Sequence, residues 1–153
     1  MIISFKIKNY CSYKDEQILS FEKKSKEQAG SQFIHKRKNI ELLKVVGLVG
    51  TNGSGKTSLL RGLDFMKLMV INSQNHNVDT KIAYAPFLTT PNDPIEFELS
   101  FVSENKKYIY GFTYNDKKII EEFAIVYDTQ KPTTIFYRDE ENLNKRFEFN
   151  FKY

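Results

Sequence analysis

The sequence predicts an α/β fold in which antiparallel strands pack around one strand–loop–helix unit. Three observations predict it. Residues Gly50-Thr51-Asn52-Gly53-Ser54-Gly55-Lys56-Thr57 spell G-x-x-x-x-G-K-T. The stretch 44–49 ahead of them is apolar and β-branched, and reads as a buried parallel strand. From Ile95 onward the chain alternates apolar and polar residues in successive short segments, which is the period of a β-strand.

The elements follow in order. Residues 2–8 and 17–22 alternate and predict a β-hairpin turning over 12–16. Residues 23–43 are polar and basic, and read as a long connection to strand 44–49. A helix is predicted over 57–71, because Leu59, Leu63, Met66 and Val70 recur at helical spacing on one face. Residues 72–93 are rich in Asn, Thr and Pro and predict an irregular connection. Strands are predicted at 95–102, 107–114, 118–127, 133–138 and 147–152, with turns at Glu104-Asn105 and Asn115-Asp116. The chain has no repeat and no clear linker, so residues 1–153 are expected to form a single domain.

The octapeptide is the phosphate-binding loop, or Walker A motif, of nucleoside triphosphatases. Gly50, Gly53 and Gly55 open backbone conformations closed to other residues, so successive N–H groups can converge on one anion. A helix starting at the loop adds its positive N-terminal end. Lys56 is expected to reach the β- and γ-phosphates and is the candidate catalytic residue. The Thr57 hydroxyl is expected to ligate Mg²⁺. A glycine-rich turn that binds nothing is the competing explanation, and the register of three glycines, a Lys and a Thr between strand and helix argues against it.

Composition narrows the class. Hydrophobic residues make up 41% of the chain and aromatic residues 14%, which excludes a disordered polymer. No apolar run approaches membrane-spanning length. No apolar secretory segment opens the chain, and a cytoplasmic protein with no membrane partner is expected. One cysteine and two histidines form neither a disulfide framework nor a zinc cluster. Residues 1–50 hold ten Lys/Arg against five Asp/Glu, concentrated at Lys23-Lys24-Ser25-Lys26 and His35-Lys36-Arg37-Lys38. These clusters read either as a rim attracting nucleotide or nucleic acid, or as solvated loops.

Residues Gly50–Leu60, GTNGSGKTSLL, resemble the GxNGSGKTsLL loop of ATP-binding heads of the ABC, SMC and RecF type. The opening Ile2–Glu16, IISFKIKNYCSYKDE, is similar to the lisFkveNFrSFkde start of that group. Ala85-Pro86-Phe87, 94–101, 108–112, Ile119-Ile120-Glu121-Glu122 and 135–138 resemble, in that order, the bacterial AAA15/AAA21-type ATPases related to the OLD family. Several of these serve in anti-phage defence. The resemblance implies the first, β-rich lobe of an ABC-type head, with ATP and Mg²⁺ as cofactors. It implies ATP bound by Gly50, Thr51, Asn52, Gly53, Ser54, Gly55, Lys56, Thr57 and Ser58. The base and ribose would lie near the hairpin turn at Ser12, Tyr13 and Lys14, with Lys36 more distant; Tyr13 reads equally as a packed core aromatic. It further implies a homodimer sandwiching ATP, an effector such as a nuclease or toxin, and a role for nucleic acid. Cys11 stands where the group commonly has Arg.

Hydrolysis also needs an acid for the metal and a group to position water. Asp128 ends an apolar run but is followed by Thr129, and the Asp139-Glu140 pair is preceded by Arg138. No serine- and glycine-rich signature segment appears, and His35 and His76 lie in polar stretches. The chain therefore reads as the N-terminal part of a longer ATPase. A non-hydrolysing nucleotide switch and a small kinase using Asp128 are the alternatives.

Overall fold

The computed structural model describes residues 1–24, 30–37, 40–72, 81–129, 131–142 and 147–150. Strands β1 (Ile2–Lys8), β2 (Gln17–Ser20), β5 (Ile95–Ser103), β6 (Lys106–Tyr114), β7 (Ile119–Tyr127), β8 (Pro132–Asp139) and β9 (Phe147–Phe149) form one seven-stranded sheet. Its order is β2-β1-β5-β6-β7-β8-β9, and every pairing is antiparallel. A two-residue loop closes the β5–β6 hairpin: Glu104 and Asn105 both take positive φ, as the tight turn demands. Asn115 Oδ1 accepts the N–H groups of Lys117 and Lys118 and so shapes the β6–β7 turn.

One helix, α1 (Lys56–Asn72), lies on the sheet. Its buried positions are Leu59, Gly62 and Met66. Gly62 brings the helix close, since a Cβ there would meet Ile7 Cδ1 at 2.8 Å. Below it Phe97 is the hub of the core. Its ring lies 5.2–6.0 Å from those of Phe5, Tyr10, Phe65, Phe112 and Tyr114. Such stacked and edge-on pairs hold the helix over β1 and β5. The bulge between Ile2 and Ser4 lets β1 serve two clusters. Phe5 and Ile7 join the core under α1, while Ile3 packs with Val102 and Leu42.

Several expectations are corrected. Residues 23–43 hold a second, two-stranded sheet, β3 (Ile34–Arg37) with β4 (Ile40–Leu43), after a 3₁₀ turn at Ser31–Phe33. It forms because Leu42 supplies an apolar anchor that the surrounding charge hides. The stretch 44–49 is not a buried parallel strand. Among the described residues no strand pairs with it beyond the bond of Lys44 N to Phe33 O, and Val45 and Val49 stand 70% and 94% exposed. Val70 is also exposed, so the helix face turned to the sheet runs through Gly62 instead. The expected strand 17–22 is shorter; of the expected 147–152, β9 covers Phe147–Phe149, and residues 151–153 lie outside the described ones. Among the described residues no helix is long and apolar enough to cross a membrane.

Candidate functional site

The glycine loop leaves the exposed stretch 44–49 and turns into α1. Gly50, Gly53 and Gly55 take φ of +156°, +81° and +88°. Side chains rarely adopt these angles, and at Gly50 a Cβ would also meet Ser54 Oγ at 2.9 Å. Ser54 N donates to Thr51 O at 3.3 Å and closes the loop. The first helical bond of α1 runs from Leu59 N to Gly55 O at 3.0 Å. The amides of the helix's first turn therefore face outward without intrahelical acceptors, at the positive end of the helix. Lys56 Nζ donates to Gly50 O at 2.8 Å, Thr51 O at 2.7 Å and Ser54 Oγ at 3.3 Å. Its ammonium thus sits in the mouth of the loop. Thr51, Asn52, Gly53, Ser54 and Thr57 are exposed, Lys56 and Ser58 half-buried, and Gly55 buried.

The N-terminal hairpin turn reaches the same place. Tyr10 and Tyr13 exchange backbone hydrogen bonds of 2.9 Å, leaving Cys11 and Ser12 at the tip. Ser12 Oγ lies 3.0 Å from Ser58 Oγ, and Tyr13 OH donates to Gly55 O at 3.0 Å. The structure thus brings Ser12, Tyr13 and Ser58 together with the loop. Tyr13 is half-buried against the core, and its hydroxyl is bonded to the loop. Lys14 is exposed, with its carbonyl accepting Asn9 N at 3.1 Å.

Asn9 was given no role by its sequence, and it holds this turn. It is 3% exposed with φ of +52°. Its Nδ2 donates to the carbonyls of Thr90, Asp93 and Pro94, and its Oδ1 accepts Phe87 N and Thr90 Oγ1. Cys11 N adds a bond to Ala85 O at 2.8 Å. The signal was present: an Asn at the end of an alternating strand suits the left-handed conformation and satisfies neighbouring backbone. Burial, followed by Cys11, pushes the Tyr10 hydroxyl up to about 12.

The other candidates are dispersed. Asp128 follows β7 beside the β5–β6 turn, where it pairs with Lys106 Nζ at 3.4 Å. The hairpin tip lies beyond the opposite end of the strands, which is roughly 27 Å away along a nine-residue strand. Asp139 ends β8 on the nearer edge, but four strand steps from β1, or roughly 19 Å across the sheet. Its Oδ1 accepts the N–H groups of Glu141 and Asn142 and so caps a turn. Lys23 and Lys36 both bind Glu41, at 3.2 and 2.8 Å, and Lys36 foremost holds that carboxyl below its usual range. Their hairpin docks through Leu43 N on Phe21 O, at the end of β1 away from the loop. Among the described residues, Lys23 and Lys36 therefore make no rim around the glycines. His35 stands on β3; Ser25, Lys26, Lys38 and His76 lie outside the described residues.

The family described as AAA domain, putative AbiEii toxin, type IV toxin–antitoxin system, matches residues 45–152, well over half of the chain. The chain belongs to this family. It is an AAA-type P-loop ATPase domain, and the matched segment contains the whole glycine loop and α1. The hairpin that carries Ser12 and Tyr13 precedes the match, so its place beside the loop is known from geometry alone. No curated protein matches the chain.

Proposed function

We propose that this AAA-type domain is an ATPase head of the ABC/SMC/RecF-like class, of the OLD-like AAA15/AAA21 kind. It serves anti-phage defence or nucleic-acid processing through an effector such as a nuclease or toxin. The observation that carries the reading is the loop itself: three glycines at positive φ, closed around the Lys56 ammonium at the head of α1. The residues present fit a triphosphate. Phosphate oxygens would replace the carbonyls of Gly50 and Thr51 around Lys56, and the outward amides from Gly53 to Ser58 would cradle them. Thr57 would offer its exposed hydroxyl to Mg²⁺. Bound Mg²⁺ supplies charge neutralisation across the β- and γ-phosphates. The chain's own residues bind and orient the nucleotide.

We read residues 1–153 as a single ATP-binding domain, the first lobe of a longer cytoplasmic ATPase that dimerises through its ATP sites. The exposed Val45 and Val49 support this, because an apolar segment entering a P-loop ordinarily lies within a sheet. Exposed Leu60, Val70 and Ile71 on α1 support it too. A second reading, a nucleotide-binding switch without turnover, is favoured by the distance of Asp128 and Asp139 from the loop.

The test is isothermal titration of ATP–Mg²⁺ into the chain and into Lys56→Ala. A charge-assisted contact removed from the phosphates should weaken binding by about 10- to 150-fold. Equal affinities would overturn the site.

A further inference from the structure

We infer that Tyr13 is a positioning residue that sets the phosphate loop from behind, and makes no contact with the nucleotide. This rests on the reading of the loop as a phosphate site. The Gly55 carbonyl accepts two hydrogen bonds, from Leu59 N inside the helix and from Tyr13 OH outside it, each 3.0 Å long. A peptide group is planar, so fixing the Gly55 carbonyl also fixes the Lys56 N–H that points the opposite way. That N–H lies at the head of α1, where the phosphates would sit. Gly55 is shaped for the contact. It takes φ of +88°, and a Cβ there would meet Tyr13 OH at 2.8 Å and Ser12 Cβ at 3.3 Å. The Ser12–Ser58 hydroxyl pair makes a second tie to the same turn of the helix.

The clamp is itself anchored. Asn9 and Cys11 bind the hairpin to the segment 85–94 through six hydrogen bonds. The loop therefore has two unlike ends. Its Gly55 end is held by another element, and among the described residues its Gly50 end is held by Lys56, which a ligand would draw away. A held end lowers the ordering cost that binding must meet.

The experiment compares Tyr13→Phe, Ser12→Ala and Lys56→Ala with the unmodified chain, using two probes, ATP–Mg²⁺ and tripolyphosphate–Mg²⁺. Phe keeps the ring and removes only the hydroxyl. Losing one hydrogen bond that preorganises the loop should weaken both probes alike, by about two- to tenfold. Circular dichroism should show the same fold and nearly the same melting temperature. If Tyr13→Phe weakens ATP and leaves tripolyphosphate unchanged, Tyr13 touches the nucleoside and the inference is wrong. If it changes neither while Lys56→Ala abolishes both, the clamp has no role and the loop assignment stands. If the unmodified chain binds neither probe, the phosphate-site reading fails, and this inference with it.

Discussion

The amide of Asn9 does the work of a small element. It joins β1 to the backbone at Phe87, Thr90, Asp93 and Pro94, and it accepts the Thr90 hydroxyl. Asn9→Ala would remove five part-buried hydrogen bonds to the 87–94 segment and lose a residue that tolerates φ of +52°. A hydrogen bond contributes about 0.5–1.5 kcal/mol net, so a loss of about 3 kcal/mol is expected from urea unfolding. A loss under ~1 kcal/mol would show that the 85–94 segment follows the hairpin for other reasons. At the loop, Thr57→Ala should weaken ATP binding with Mg²⁺ more than without it, because the exposed hydroxyl is the loop's metal ligand in the proposed site. An equal cost in both conditions would remove Thr57 from that role. Lys56 and Thr57 were legible because their chemistry is local to eight residues. Asn9 was not, because its partners stand some eighty residues away.

Helix α1 and the sheet meet at a position with no side chain. At Gly62 a Cβ would reach Ile7 Cδ1 at 2.8 Å and Phe97 Cε1 at 3.3 Å. Glycine weakens a helix by up to about 1 kcal/mol against alanine, so its presence marks a packing demand that outweighs propensity. Gly62→Val should destabilise the protein by about 1–3 kcal/mol, read from thermal or urea unfolding. A neutral result would mean that the helix stands further from β1 than the contacts imply. The strands between Ile95 and Asp139 were legible because alternation reports one buried face directly. The β3–β4 hairpin escaped because Leu42 is the one buried residue among its described ones, too little to set a period. Residues 44–49 misled in the other direction: apolar composition reports what a segment can bury, and here Leu48 packs on the core while Val45 and Val49 stay exposed.

Across the whole molecule, tyrosines tie stability to pH. Burial raises the hydroxyls of Tyr10 and Tyr137 to about 12, with Cys11 acting on the first and Glu121 and Asp139 on the second. Burial also drives Tyr110 and Tyr114 well upward. A folded state that holds these protons more tightly than the unfolded chain is fully favoured below pH 10, the ordinary tyrosine value. That advantage is lost as pH climbs from 10 through 12. Urea midpoints should be flat from pH 7 to 9 for these groups and fall above pH 10; a rise there would contradict the buried hydroxyls. Turnover is governed by what the molecule brings to the loop. Phosphoryl transfer requires positioning plus charge stabilisation. The loop, the end of α1, Lys56 and Thr57 provide the binding half. Among the described residues no three His, Cys, Asp or Glu side chains gather to hold a metal, and Asp128 and Asp139 are occupied at distant turns. These 153 residues are therefore expected to bind ATP weakly and to release phosphate no faster than background. A phosphate-release assay with Lys56→Ala as the contamination control decides it. Steady turnover that Lys56→Ala abolishes would mean that an acid reaches the loop after a rearrangement of the sheet edge.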